Sequence, residues 1–291
     1  MLTSLVKGGN MKTNLIHKSF HFIRFLNTNR KSLYQEFNKN EELVNVIRKS
    51  KMQTFFQPIL SLNTGATFGY EILNRPFSTK SFPTTDAFYD YVGESNHIFE
   101  VERFIRDLAL KNYQEQMKQQ VNKEDTMIFL NILPQILADP NYQKETMMDL
   151  LTTHNISPSQ VVLELTEKKS GINYTQFVKL VDHYRNQGFR IAVDDVGTGY
   201  NGLQTLLYLK PEFIKVDKSL IRNIEKTPEK QHLVELILDF ASKSTTKVIA
   251  EGIETVSEYT FLREMGVDMG QGYAIGKPIK TLNKGIAPIP G

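Results

Sequence analysis

Apolar strand-like runs alternate with helix-like segments through most of this chain. Such alternation is typical of a parallel sheet whose strands are connected by helices. The eight predicted strands lie at residues 54–62, 66–73, 126–132, 161–167, 189–195, 212–217, 247–252 and 267–271. Eight strands in a chain of this size predict an α/β fold, a modified TIM-type (β/α)8 barrel.

The first two predicted strands form a hairpin. Thr54–Leu62 and Ala66–Leu73 are separated only by Asn63–Gly65, which is typical of a tight turn. Neighbouring strands joined by a tight turn must run antiparallel. We therefore expect a barrel with an antiparallel first strand.

The composition excludes several classes of protein. The 291 residues include no Cys, which excludes a disulfide framework and cysteine nucleophiles and is compatible with a reducing cytosol. Apolar runs are too short for a membrane span, and no secretory signal opens the chain, so we expect a cytoplasmic location. A net charge of +3 is too small to indicate a nucleic-acid polymer as partner.

The basic residues are concentrated at the N-terminus. Residues 1–35 carry a charge of +6 and no acidic residue, which leaves −3 for the rest of the chain. This arm would contact an anionic membrane surface or a partner protein, or it would simply pack on the domain or fray. The predicted boundaries are a partly helical extension at 1–48, one barrel domain at 49–282 and a C-terminal tail at 283–291.

Charged residues interrupt four apolar strands. Glu164 and Lys215 lie between apolar neighbours, and Asp194 and Glu251 end strands. Because alternate side chains of a strand face opposite sides, the branched neighbours take the helix-facing side of a barrel. Glu164, Asp194 and Lys215 then point inward, and Glu251 lies at the strand end where barrel active sites form.

Three further residues belong to the same predicted mouth. Glu71 and Asn131 lie near the ends of their predicted strands, and Asp195 follows Asp194. The five carboxylates and the single ammonium of Lys215 carry a net formal charge of −4, which two divalent cations would neutralise. Oxygen ligands without Cys or a His cluster indicate Mg²⁺ or Mn²⁺, with Asp194 bridging the two ions.

Each residue also has a structural interpretation. Adjacent aspartates at a strand end are often a helix cap or a turn pair. Glu164 and Lys215 could form a buried salt bridge, and Asn131 could serve turn chemistry. Convergence of polar groups from six strand ends favours the functional interpretation.

The chain resembles the EAL-domain family, the bacterial cyclic di-GMP phosphodiesterases, over about residues 50 to 280. The motifs that carry the resemblance are QPI at 57–59, YEILNR at 70–75, LNILP at 130–134, LELTE at 163–167, DDVGTGY at 194–200, IKVD at 214–217, IAEGIET at 249–255 and QGYAIGKP at 271–278. Ile72 and Val196 replace the usual Ala and Phe of two motifs, and Asn201 departs from the usual Ser.

The resemblance implies roles for individual residues. The implied metal ligands are Glu71, Asn131, Glu164, Asp194, Asp195 and Glu251. The implied catalytic residues are Glu71, Lys215, Glu251 and Gln271. The implied substrate-binding residues are Gln57, Leu73, Arg75, Asp217, Tyr273 and Pro278. Glu167 and Glu254 would support the loop after Asp195, which couples dimerisation to metal binding in the family.

The resemblance implies hydrolysis of cyclic di-GMP to linear 5′-pGpG with two divalent cations, Mg²⁺ or Mn²⁺, in a homodimer. Every expected ligand type is present, which favours an active enzyme over a receptor. Two alternatives stay open: a cyclic di-GMP receptor that signals through its N-terminal arm, and an unrelated metal-dependent barrel enzyme acting on a small phosphorylated substrate.

Overall fold

The structure is a computed structural model that describes residues 5–119, 126–133, 135–136, 147–166, 174–198 and 202–288, with side chains at 5–16, 166, 174–177 and 202–204 left undescribed. None of the helices within these ranges is long and apolar enough to cross a bilayer.

Eight strands close into a barrel in sequence order, which confirms the predicted fold class. The strands are β1 (Met52–Ser61), β2 (Thr67–Pro76), β3 (Met127–Ile132), β4 (Val161–Thr166), β5 (Arg190–Val196), β6 (Phe213–Val216), β7 (Lys247–Ala250) and β8 (Met269–Gly270). Strand β1 pairs antiparallel with both β2 and β8, and all other neighbours pair in parallel. The antiparallel first strand inferred from the hairpin is therefore confirmed.

Helices connect most of the parallel strands. The described helices are α1 (Leu5–Arg48), α2 (Thr85–Glu94), α3 (Ile98–Gln119), α4 (Met147–Thr153), α5 (Tyr174–Asn186), α6 (Gly202–Leu209), α7 (Lys218–Ile221), α8 (Pro228–Ser244) and α9 (Val256–Glu264). Helix α9 begins with a capping box, in which Thr255 and Glu258 satisfy each other's backbone N–H groups.

The barrel interior contains an apolar layer to which every strand contributes a side chain and β3 contributes two. The layer consists of Ile59, Phe68, Met127, Phe129, Val162, Ala192, Phe213, Ile249 and Met269. The rings of Phe129 and Phe213 meet nearly edge to face with centroids 5.5 Å apart. The interior is thus a packed core and not a pore, so a ligand must bind at one mouth.

The chain divides into two compact units. One consists of Met1–Lys51 and Phe77–Ala87, and the other of Met52–Pro76 and Phe88–Gly291. In the first unit, the Glu42 carboxylate of α1 accepts hydrogen bonds from the Thr79 hydroxyl and the Ser81 backbone N–H. Helix α1 is continuous over 44 residues, longer than the partial helix that we expected for this segment.

Candidate active site

Six polar residues of the site lie two positions beyond the apolar layer on their strands, whereas Glu71 lies three positions beyond Phe68 on β2. Since side chains alternate along a strand, the spacing of two keeps these six on the inner face, one layer nearer the mouth. The pairs of layer residue and site residue are Phe129 and Asn131, Val162 and Glu164, Ala192 and Asp194, Phe213 and Lys215, Ile249 and Glu251, and Met269 and Gln271. Strand β1 runs antiparallel to its neighbours, so its site residue Gln57 lies two positions before the layer residue Ile59.

A β-bulge explains the two adjacent aspartates. Val193 pairs with Ile214 and Val196 pairs with Val216, so Asp194 and Asp195 together face the single residue Lys215. Asp195 has a positive φ of 58°, in the left-handed region. The bulge breaks the alternation of side chains, and one carboxylate oxygen from each aspartate lies within 4.8 Å of an oxygen of Glu251.

Lys215 lies at the centre of the site. Its Nζ is 2.7 Å from Glu164 Oε1 and 2.8 Å from Glu251 Oε1. It is also 3.4 Å from Glu71 Oε2 and 3.3 Å from Asp194 Oδ1. Both Lys215 and Glu164 are almost completely buried. Carboxylates from four strands or strand ends therefore converge on one ammonium.

Two carboxamides position Glu71. Gln271 Nε2 donates to Glu71 Oε2 at 2.6 Å, and Asn131 Nδ2 donates to Glu71 Oε1 at 3.3 Å. Gly272, next to Gln271, passes close to the backbone of Ile253: an added Cβ would lie 2.1 Å from the Ile253 carbonyl oxygen. Glycine is therefore required beside Gln271 for this backbone to reach its position.

Burial and the neighbouring charges shift the pKa values of the ionisable groups in the site. Burial raises the pKa of Glu164 well above its ordinary value, and the Glu71 carboxylate raises it further. Burial likewise raises the pKa of Asp194, and it raises the pKa of Glu251 to about 8 against the lowering effect of Lys215. Burial lowers the pKa of Lys215, but the surrounding carboxylates together raise it well above its ordinary value.

The donor set fits divalent cations. Within the described residues, Glu164 Oε2 and Gln271 Oε1 are buried and accept no hydrogen bond. Five carboxylates share one lysine at this mouth, which leaves negative charge uncompensated. Hard oxygen donors with excess negative charge suit Mg²⁺ or Mn²⁺, and the cluster of Asp194, Asp195 and Glu251 is one point where such an ion fits.

Two of the expected substrate-binding residues, Gln57 and Arg75, have defined contacts. Gln57 is buried on β1, and its Nε2 donates to the Gly276 carbonyl oxygen at 3.2 Å. Arg75 is exposed at the end of β2, with its guanidinium carbon 5.1 Å from the centre of the Phe55 ring. Phe55 is a contact that the sequence motifs do not indicate.

The other four expected substrate-binding residues differ in their surroundings. Asp217 caps α7, where its carboxylate accepts from the Ser219 backbone N–H at 2.9 Å. Tyr273 is exposed, with Lys277 Nζ 5.5 Å from its ring centre. Leu73 and Pro278 are half-buried. The role of these four residues in binding stays a prediction.

Of the two residues predicted to support the loop after Asp195, the structure describes only Glu254. Glu167, Tyr200 and Asn201 lie outside the described residues. Glu254 Oε1 is 2.5 Å from Arg222 Nη2, and the same guanidinium lies 3.6 Å from the buried Glu258 through Nη1. The assignment of Glu254 to this loop therefore stays a prediction.

One residue near the site escaped the sequence motifs. Glu102 is buried on α3, where its Oε1 accepts from the Leu133 backbone N–H at 3.2 Å and its Oε2 pairs with Arg106. Leu133 follows Asn131 by two residues, so Glu102 holds the end of β3. The available signal was an acid within the apolar stripe of a helix, between Val101 and Ile105.

Comparison with known proteins places these observations in a family. The family model described as "EAL domain" matches residues 40–278. The "Probable cyclic di-GMP phosphodiesterase PdeB" of Escherichia coli (strain K12) is 28% identical over 249 residues, which are 82% of this chain and 45% of that protein. The chain thus spans less than half the length of this curated relative.

Solved structures share the fold. The EAL enzyme Bd1971, in its form with cAMP and cyclic-di-GMP bound, superposes with a TM-score of 0.76 at 27% identity, covering 92% of this chain and 73% of the other. BlrP1 of Klebsiella pneumoniae, in a manganese and cyclic di-GMP complex at pH 9.0, gives a TM-score of 0.67 at 28% identity, covering 82% and 59%. With a family model matched over most of its length, this chain belongs to the EAL domain family.

Proposed function

We propose that this chain is a phosphodiesterase that hydrolyses cyclic di-GMP to linear 5′-pGpG with two bound divalent cations, Mg²⁺ or Mn²⁺. The observation that carries the proposal is the convergence of four carboxylates on Lys215 at the mouth of the barrel. The relative BlrP1 binds manganese and cyclic di-GMP together, and PdeB is named as a probable phosphodiesterase of this nucleotide.

The cations would be held by the oxygen donors of the cluster. The proposed ligands are Glu71, Asn131, Glu164, Asp194, Asp195 and Glu251. When bound, the two ions would lower the pKa of water and neutralise charge on the phosphodiester. Gln271 and Asn131 would fix the Glu71 carboxylate through the hydrogen bonds already described.

The remaining groups would handle substrate and protons. Water adds to phosphorus, the bond from phosphorus to the 3′ oxygen breaks, and the 3′ oxygen takes a proton. Lys215 is surrounded by carboxylates that keep it protonated, so we assign it the stabilisation of negative charge and assign proton acceptance to Glu251. Arg75 would bind a phosphate oxygen, for which a guanidinium is suited. A homodimer is expected, and light scattering in solution would measure its mass.

Chromatography of the reaction products tests the proposal. Cyclic di-GMP incubated with the protein and Mn²⁺ or Mg²⁺ should yield 5′-pGpG. Glu71→Ala should lower the rate by at least about a hundredfold, since a preorganised electrostatic group at a reacting centre contributes on this order. Glu229→Ala, at an exposed position of α8, is the matched control and should retain the parent rate.

Two outcomes would contradict the proposal. Tight binding of cyclic di-GMP without product, with either cation and from neutral to alkaline pH, would indicate a receptor. Parent-rate hydrolysis by Glu71→Ala would place the chemistry elsewhere on the chain.

A further inference from the structure

Helix α1 exposes an unusual amount of apolar surface. Phe20, Phe22, Phe25 and Phe37 are 68%, 61%, 55% and 58% exposed, and Leu26 is 39% exposed. Such a concentration of exposed large apolar side chains marks an interaction surface, because scattered single residues are the norm elsewhere on protein surfaces.

The same stretch is strongly basic. Lys18, Arg24, Arg30 and Lys31 are exposed, and the first acidic residue of the whole chain is Glu36. The surface is therefore both apolar and cationic. It complements a lipid bilayer, in which anionic headgroups cover an apolar layer of acyl chains.

An apolar stripe runs along the helix, and part of the basic charge lies opposite it. Phe22, Leu26, Leu33 and Phe37 follow at spacings of four, seven and four residues, which places them in one stripe at about 3.6 residues per turn. Arg24 and Lys31 are seven residues apart and share the opposite side. Lys18 and Arg30 lie at the two edges of the stripe, so cations lie both opposite the apolar stripe and beside it.

The width of the apolar face distinguishes two kinds of occupant. Phe25 lies about 60° before Phe22 around the helix and Phe20 lies about 100° beyond Phe37, so exposed aromatic rings occur over more than half of the circumference. A coiled-coil partner, such as a second copy of this chain, covers a narrower seam. A lipid interface accepts the wide arc and lets a basic side chain such as Arg30 reach up to the headgroups.

We propose that residues 18–37 of α1 lie in the surface of a bilayer that carries anionic headgroups, with the stripe of Phe22, Leu26, Leu33 and Phe37 inserted between acyl chains. The helix is long enough for a span but is not apolar enough to cross a bilayer, so the segment would lie in the interface plane. The proposal is independent of the phosphodiesterase function, and each can fail without the other.

Tryptophan fluorescence gives a direct test. The chain contains no Trp, so Phe22→Trp in the full chain introduces a single reporter on the apolar stripe. Vesicles of equal parts phosphatidylglycerol and phosphatidylcholine should shift its emission to shorter wavelength, whereas vesicles of phosphatidylcholine alone should shift it far less. Leu236→Trp, at an equally exposed apolar position of α8, is the matched control and should not shift.

Co-sedimentation with the same vesicles measures the two contributions. Arg24→Gln with Lys31→Gln should weaken binding by about tenfold or more, since each cation near an anionic surface contributes on the order of fivefold. Phe22→Ser with Leu26→Ser should also abolish most binding. The control is the double variant Lys226→Gln with Lys243→Gln, which removes two lysines whose side chains are 75% and 72% exposed. This control should bind the vesicles as the parent does. Turnover of dissolved cyclic di-GMP should be equal in all of these proteins.

Three results would overturn the proposal. One is absence of binding to the anionic vesicles. A second is equal binding to both vesicle types, or equal loss in the control variants. A third is a dimer that dissociates on Phe22→Ser with Leu26→Ser while no vesicle binding occurs, because the apolar face would then be covered by a second copy of the chain.

Discussion

Lys215 occupies the position that decides how the acidic side chains coexist. Its ammonium lies between 2.7 and 3.4 Å from oxygens of Glu71, Glu164, Asp194 and Glu251. One positive charge offsets part of this negative charge, and burial together with the neighbouring carboxylates raises the pKa values of Glu164, Asp194 and Glu251. Divalent cations would complete the neutralisation.

Removing the lysine should be costly without metal. Lys215→Met leaves buried carboxylates without their partner, and in the presence of a chelator it should lower the free energy of unfolding by about 3–5 kcal/mol. Urea denaturation at slightly alkaline pH measures this difference, and added Mn²⁺ should restore part of it. Lys243→Met breaks only an exposed pair with Asp239 and should change stability by less than about 0.5 kcal/mol. Equal effects of the two variants would contradict the central role of Lys215.

The raised pKa of Glu251 predicts how stability depends on pH. With a folded pKa of about 8 and an ordinary value of 4.5, the folded state binds more protons between these values than the unfolded state does. The stabilisation is therefore complete below about pH 4.5 and is lost as the pH rises towards 8. With chelator present, the melting temperature should fall across this window, and Glu251→Gln should flatten the fall. A melting temperature that rises to pH 8 in the parent, with the same slope in the variant, would refute the assignment.

At the scale of elements, strand register decides which side chains meet. The period of two along a strand made the inward direction of Glu164, Asp194 and Lys215 predictable from their apolar neighbours. The β-bulge at Asp194 and Asp195 was not predictable, since it depends on how β5 pairs with β6. The contact of Glu102 with Leu133 was missed for a similar reason, because it joins a helix to the end of a strand distant in sequence.

Glu102 should matter for stability through this link. Glu102→Ala removes the acceptor of the Leu133 N–H and breaks the buried ion pair with Arg106, so the free energy of unfolding should fall by about 3–5 kcal/mol. Glu102→Gln keeps an acceptor oxygen and should lose less. Glu100→Ala, two residues earlier on the same helix, removes an exposed carboxylate 3.2 Å from His97 and is the control. Denaturant titration measures the free energy of unfolding of the three variants. Equal values for all three would refute the link.

At the scale of the whole molecule, the barrel brings together residues 200 positions apart in sequence, as in the hydrogen bond between Gln271 and Glu71. The number and order of strands predicted this closed topology. The lengths of the helices did not follow from the sequence as well: α1 is a single helix of 44 residues, because it contains no Pro and its glycines lie only near its start. Distances within the site could not be predicted, since they depend on how the strands tilt and stagger when the barrel closes.

The number of Mn²⁺ ions bound per chain tests the central claim most directly. Electron paramagnetic resonance of free Mn²⁺ during titration of the full chain gives this number without any turnover. The neutralisation argument predicts two ions for the parent protein, and fewer or much weaker sites for Asp194→Asn, because Asp194 is the proposed bridge. The claim would be contradicted if the parent protein bound no Mn²⁺ during the titration. It would also be contradicted if Asp194→Asn bound two Mn²⁺ ions with the affinity of the parent.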